Sequence, residues 1–222
     1  SIVAGGIGSV YVSPDAFVKI VIERVPFIDI STTWPSSWET IIWDLRLPRI
    51  VLAGLVGSAL AIAGATYQGL FRNPLADPYL IGVASGAGLG AAVIFLTGLP
   101  FYFGGVSLLP LAAFAGGLGA VTVAYVIARQ SDGVPLTTLI LAGVAISSIA
   151  GALTSLLMMQ SDPDVRPLLG WLLGGFNGAS WVDVKVLIIY ITPAIAVMIA
   201  YGRMLNLLQL NEDEAKQLGV NV

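Results

Sequence analysis

An all-α polytopic membrane helix bundle is the fold class that this chain predicts. Of its 222 residues 57% are hydrophobic and only 10% charged, which leaves too little polar surface to cover even one core in water. Charge-free apolar runs of about 20 residues recur along it, the length a helix needs to cross a hydrocarbon core of about 30 Å. Within those runs small residues recur every fourth position, the pattern through which helices approach closely in lipid. The chain has no Cys and no His, so disulfides, zinc sites, thiol nucleophiles, imidazole bases and His-ligated haem are excluded from it. Its net charge is −3 and its ten Lys and Arg are scattered, so it carries no nucleic-acid footprint.

Residues 1–12 are apolar but only half a span long, and read as the end of a first helix rather than as a signal peptide. Residues 13–45 form an external segment. In it Ser13-Pro14-Asp15 starts a short surface helix, whose Phe17, Ile20, Val21 and Val25 recur at helical spacing and predict an apolar face lying on the membrane. Spans follow at 50–71, 79–98, 106–129 and 133–161, the second and third separated by breaks at Leu99-Pro100 and Gly104-Gly105. A fifth span covers 186–202 and extends back to Trp181 if Asp183 and Lys185 sit at the interface. Together, residues 46–202 hold the transmembrane helices. Arg72-Asn73-Pro74 and Asp77-Pro78 mark a tight turn in which Asp77 caps the next helix and Pro78 takes its first position.

Trp34, Trp38 and Trp43 precede the first complete span, and Trp171 and Trp181 follow the fourth. Four crossings separate the two groups, so all five Trp share one face, where indole rings favour the headgroup region. Arg72 and the C-terminal tail lie on the other. The balance of basic residues leans the other way for a cytoplasmic tail, with six on the Trp side against four on the tail side.

The small-residue stripes are Ala53, Gly57, Ala61, Ala65 and Gly69; Gly82, Gly86 and Gly90; Gly116, Ala120, Ala124 and Ala128; and Gly143, Ser147, Gly151 and Ser155. They predict a tightly packed bundle. Asp, Glu, Lys and Arg avoid the middle of every span, which disfavours a proton-driven pump. The hydroxyls that enter the spans are expected to bond their own helix backbone. Gln68 costs more to bury and is the pathway candidate. The chain holds no G-x-x-x-x-G-K-[ST] string, so any ATP is bound by another subunit. In the tail, residues 203–222, Asn211 and Glu214 are spaced as a capping box, Glu212, Asp213 and Glu214 favour the positive end of a helix dipole, and Gly219 closes the helix. A helix of one or two turns is unstable alone and must dock on something, its own bundle or a partner.

Leu45-Arg46-Leu47-Pro48-Arg49, the string Phe71-Arg72-Asn73-Pro74-Leu75-Ala76-Asp77-Pro78, Leu141-Ala142-Gly143-Val144 and the tail from Asn211 resemble the FecCD family. These are permeases of ABC importers for iron-siderophores, haem and cobalamin. The resemblance implies ten helices per subunit, of which this chain holds about the first six. It implies a homodimer with the path between subunits, two cytoplasmic ATPase subunits that carry ATP and Mg, an external substrate-binding protein, and a place in the inner membrane. No cofactor is implied for the chain itself, which is a transport subunit rather than an enzyme. The tail then faces the cytoplasm and the Trp-rich face is external.

By the same resemblance, Arg46 and Arg49 match arginines that dock the binding protein. Asn73 and Leu75, with Leu136 and Thr137, match positions of the cytoplasmic gate. Glu212, Asp213, Glu214, Ala215, Leu218 and Gly219 match the helix that couples to the ATPase. The residues alone leave a second class open, an ion- or proton-coupled carrier without an ATPase, and a third, a membrane protein that only packs other subunits.

Overall fold

The computed structural model describes residues 10–23, 34–103, 106–130, 133–160, 165–176 and 178–208. Among them four helices, Ser36–Phe71, Leu108–Ala128, Leu136–Gln160 and Trp181–Asn206, are long and apolar enough to cross a membrane. The chain divides into two compact units, one of Ser1–Thr66 with Phe176–Val222 and one of Tyr67–Gly175.

The first unit opens with helix α1, Pro14–Glu23. Pro14 takes the first helical position, where its missing N–H costs nothing, and the Ser13 carbonyl accepts from Phe17 N–H at 3.0 Å. Asp15 pairs with Lys19 one turn later at 3.4 Å. The Ser13 hydroxyl, and after it Lys19, hold the Asp15 carboxyl below its ordinary range. Phe17, Ile20 and Val21 of the apolar stripe pack on protein rather than on lipid, and Val25 lies outside the described residues. Ala16, Phe17 and Ile20 are buried with Val12 and Ile42, and Trp38, Trp43 and Leu47 pack around them. The stripe is satisfied by protein because the next helix begins far earlier than its charge-free run.

That helix is continuous from α2, Ser36–Thr40, through a π-turn, Ile41–Arg46, into α3, Leu47–Phe71. Asp44, Arg46 and Arg49 interrupt the apolar run but not the helix, because charged side chains at a membrane surface reach water without unwinding the backbone. Pro48 explains the π-turn. A proline ring clashes with the carbonyl four residues back and offers no N–H, and one wide turn ahead of it relieves that conflict. Helix α8, Trp181–Leu208, completes the unit. Ser180 and Asp183 form a capping box at its start: the Asp183 carboxylate accepts from Ser180 N–H at 2.8 Å, and Asp183 N–H reaches the Ser180 hydroxyl at 3.5 Å. The charge of Asp183 thus sits at the positive end of the helix. Pro193 lies inside α8, one residue after Thr192, whose hydroxyl bonds the Ile188 carbonyl at 2.7 Å.

The second unit holds a 3₁₀ turn, Pro78–Ile81; α4, Val83–Leu96; a hairpin of β1, Tyr102–Phe103, and β2, Val106–Ser107; α5, Leu108–Ala128; α6, Leu136–Gln160; and α7, Arg166–Leu172. The hairpin pairs Tyr102 with Ser107 and Phe103 with Val106 in antiparallel register. The core of this unit is backbone on backbone. A Cβ on Gly86 would meet the Gly116 carbonyl oxygen at 2.4 Å, and one on Gly90 the Ala112 oxygen at 2.1 Å. Two of the four small stripes, on α4 and α5, therefore face each other. Leu168 of α7 closes one end of this packing over Ala91 and Ala92, with Leu157 and Met158 beside it.

The stripe on α3 behaves differently: Ala53, Gly57, Ala61 and Ala65 are exposed, and only Gly69 at its end is buried. The hydroxyls within the helices do bond their own backbone, as Thr66 to Ile62, Thr122 to Leu118, Ser148 to Val144, Thr154 to Ala150 and Ser155 to Gly151, each four residues back and between 2.7 and 3.0 Å.

Candidate gate and docking sites

The turn after α3 is built residue by residue. Arg72 adopts φ +49°, in the left-handed region that usually belongs to Gly at a helix end. Arg72 N–H bonds the Gly69 carbonyl at 3.3 Å and Asn73 N–H the Gln68 carbonyl at 3.2 Å, the paired closure of a Schellman motif. Asn73 then folds the chain onto itself: its side-chain oxygen accepts from Leu75 N–H at 2.9 Å, and its carbonyl accepts from Ala76 N–H at 3.0 Å. Pro74 between them removes a backbone freedom and a donor.

Asp77 caps the 3₁₀ turn, its carboxylate accepting from Tyr79 N–H at 2.8 Å with Pro78 at the first position. The cap does not serve α4 itself, because Gly82 at φ +89° ends the 3₁₀ turn before α4 begins. The turn is pinned to α6: a Cβ on Gly143 would stand 2.5 Å from both the Leu80 oxygen and the Ile81 Cα. The backbone through this stretch is thereby fixed by two side-chain caps, two prolines and one close contact.

A small cleft results, lined by Phe71, Asn73, Asp77 and Leu80 from the turn and by Leu136 and Ile140 from the start of α6. Asn73 and Leu136, both gate residues by resemblance, converge there. Leu75 does not; it is 83% exposed. Thr137 is exposed and outside that lining, and Gln68 is exposed too. The burial that singled out Gln68 in the sequence is absent within this chain. Asp77 and Ile140 are the additions: Ile140 follows Leu136 by one helical turn, a signal the sequence carries, whereas Asp77 read only as a cap.

Arg46 and Arg49 belong to the first unit, at the end of the π-turn and the start of α3. Arg46 is half-buried and one of its guanidinium N–H groups donates to the Val10 carbonyl. Arg49 is exposed. Glu212, Asp213, Glu214, Ala215, Leu218 and Gly219, with the capping-box spacing of Asn211 and Glu214, lie outside the described residues.

The family model described as the FecCD transport family matches residues 1–222. The chain is 43% identical over 189 residues to the cobalamin import system permease protein BtuC of Halobacterium salinarum, across 85% of this chain and 50% of that protein. It is 39% identical to the hemin transport system permease protein HmuU of Yersinia pestis, across 86% of this chain and 59% of that one. To the Fe(3+)-citrate import system permease protein YfmE of Bacillus subtilis it is 36% identical, across 100% and 62%. A solved structure, described as an inward-facing conformation of a metal-chelate type ABC transporter, superposes with a TM-score of 0.77 at 31% identity, covering 99% of this chain and 64% of that one. The chain thus spans between half and two-thirds of the length of these proteins. With the match running from the first residue to the last, this chain belongs to the FecCD transport family.

Proposed function

We propose that this chain is part of the membrane permease subunit of a binding-protein-dependent ABC importer that carries an iron-siderophore, haem, cobalamin or a similar metal chelate. The observation that carries this reading is the family match over all 222 residues, together with relatives named as permeases for cobalamin, hemin and Fe(3+)-citrate. The cleft geometry supports it. A rigid turn that brings Asn73 against Leu136 is suited to a gate, which must hold one of two discrete positions. The 222 residues form part of a single permease domain, the first six of ten helices, in a homodimer within the inner membrane. Two ATPase subunits hold ATP and Mg and grip residues 203–222 from the cytoplasm, and a binding protein docks on the external face at Arg46 and Arg49. ATP binding moves the gate only because the ATPase pair holds the tail differently in its open and closed arrangements.

The full-length protein, co-reconstituted with its neighbouring ATPase and binding protein in proteoliposomes, tests this. Chelate uptake is expected to require ATP and to survive a proton ionophore. Uptake that persists without ATP and collapses with the ionophore would replace the importer by an ion- or proton-coupled carrier.

The two arginines separate in a docking assay. Arg49→Glu is expected to weaken the binding protein about tenfold at low ionic strength and much less at high, since an exposed charge pair is screened by salt. Arg46→Glu is expected to do the same and in addition to lower thermal stability, because it loses its bond to the Val10 carbonyl. Docking indifferent to both changes at every salt concentration removes the assignment.

A further inference from the structure

The π-turn deprives one carbonyl of its ladder donor. Leu47 N–H bonds the Ile42 carbonyl five residues back. The next donor in that pattern belongs to residue 48, and Pro48 has none. Pro48 therefore cannot give the Trp43 carbonyl the bond that the wide turn calls for, and backbone acceptors are rarely left without a partner. Trp181 supplies one. Its indole N–H reaches the Trp43 oxygen at 2.8 Å, across 138 residues of sequence, and the two indole rings lie 6.4 Å apart.

The same six residues anchor two further segments. The Trp43 indole N–H reaches the Ile20 carbonyl of α1 at 3.4 Å, and Arg46 reaches the Val10 carbonyl. Ile42 is wholly buried in the core between them. The π-turn is thus the point where α1, the segment before it, and α8 are tied together. A wide turn also carries one residue more than an α-turn, which offsets the faces on its two sides by about 100°. Whatever holds that turn open sets the direction of Arg46 relative to Arg49.

We propose that Trp181 is a positioning residue for docking of the binding protein: it donates the hydrogen bond that Pro48 cannot, holds the π-turn wide, and so fixes Arg46. This rests on the docking role proposed for Arg46 and Arg49. Trp181 acts through the Trp43 carbonyl and without contact to substrate or binding protein. Its position at the first turn of α8 also ties the arginine-bearing surface to the helix that runs toward the tail.

The test uses the full transporter in nanodiscs with the purified binding protein. Trp181→Phe keeps an aromatic ring and removes the N–H. It is expected to weaken docking about threefold to tenfold, the fold-change of one lost hydrogen bond, and to speed hydrogen exchange at the amides of residues 45–47. In the Arg46→Gln background the same change is expected to have no further effect on docking, because it acts through Arg46. A Trp181→Phe effect of equal size in the wild-type and Arg46→Gln backgrounds would overturn the positioning role, since general loosening would simply add. Exchange unaltered by Trp181→Phe would overturn the latch. Failure of the importer reading is distinct: Arg46→Gln and Arg49→Glu would then leave docking unchanged, while the exchange measurement still decides whether Trp181 holds the turn.

Discussion

Gly86→Val is expected to destabilise the folded protein severely. The Cβ alone would stand 2.4 Å from the Gly116 carbonyl oxygen and 2.5 Å from the Ala120 Cβ, and valine adds two methyl groups beyond it. No rotamer relieves a clash with backbone, so α4 and α5 must separate by about an ångström or more. Separation strips contact from Gly90 and Gly116 as well, where built Cβ atoms would lie 2.1 and 2.2 Å from the opposing backbone. In water, hydrophobic burial would partly pull two such helices together again, but between helices in lipid that force is missing and packing itself is the attraction. Overpacking typically costs about 1–3 kcal/mol, and with backbone on both sides about 4 kcal/mol is the expected loss, out of a total stability on the order of 5–15 kcal/mol. Monodisperse yield in detergent and thermal unfolding check it. Gly151→Ala is the control, because nothing stands within 4 Å of the added carbon and alanine favours a helix over glycine by up to about 1 kcal/mol. A Gly86→Val protein with wild-type yield and melting temperature would mean that α4 and α5 do not touch as described.

The same glycines show how much of the fold is legible in the residues. Charge-free runs place the spans well where charge ends coincide with helix ends: 106–129 against Leu108–Ala128, and 133–161 against Leu136–Gln160. They fail where the two diverge. A charge-free run measures the hydrocarbon-facing length, whereas the helix through Asp44, Arg46 and Arg49 continues for 14 residues ahead of Ile50, back to Ser36. The run from Pro78 hides an interruption, because Gly82 reads equally as a member of a small stripe and as a left-handed break, and only its φ of +89° decides. Four-residue spacing marks which faces are small but not which faces meet. It describes α3 and α4 alike, yet the α4 stripe meets α5 while Ala53, Gly57, Ala61 and Ala65 of α3 stay exposed.

The candidate sites divide in the same way. Asp77 and Pro78 are readable as a cap because capping is local, a matter of one side chain and the two amides after it. Asn73 and Leu136 come together through a contact between segments far apart in the chain, which no spacing encodes; the family resemblance supplied it and the cleft contains both. The Trp43 to Trp181 bond is the least legible of all. Its cause is nevertheless in the sequence: a proline just inside a long helix withholds a ladder donor from a carbonyl, and an indole on another segment is the kind of donor that reaches one. The sequence names the need and leaves the donor open among the four other tryptophans.

Leu218→Arg is expected to uncouple transport almost completely, and the reason lies in how little such a short helix has to hold with. Ala215 and Leu218 are three residues apart and share one side of the predicted tail helix. Glu212, Asp213 and Glu214 crowd its first turn and leave these two as its apolar anchor. A single anchor in an apolar cleft contributes on the order of 2 kcal/mol or more to a contact, and forcing an arginine into the same place adds the cost of an unpaired charge, about 3–5 kcal/mol in all. At about 1.4 kcal/mol per tenfold, complex formation with the ATPase falls by about a hundredfold or more, and ATP-driven uptake falls with it. The melting temperature of the permease alone separates the two destinations a short helix could have. If it is unchanged while the ATPase is lost, the tail is a handle for a partner; if the permease itself is destabilised and still binds the ATPase, the tail packs on its own bundle and the coupling role fails. Docking of the binding protein is expected to survive, because Arg46 at the end of the π-turn and Arg49 at the start of α3 are placed by that turn and its ties to Val10, Ile20 and Trp181. Loss of binding-protein docking in the Leu218→Arg transporter would show instead that the two ends are one cooperative structure, and the separate roles assigned to them would have to be merged.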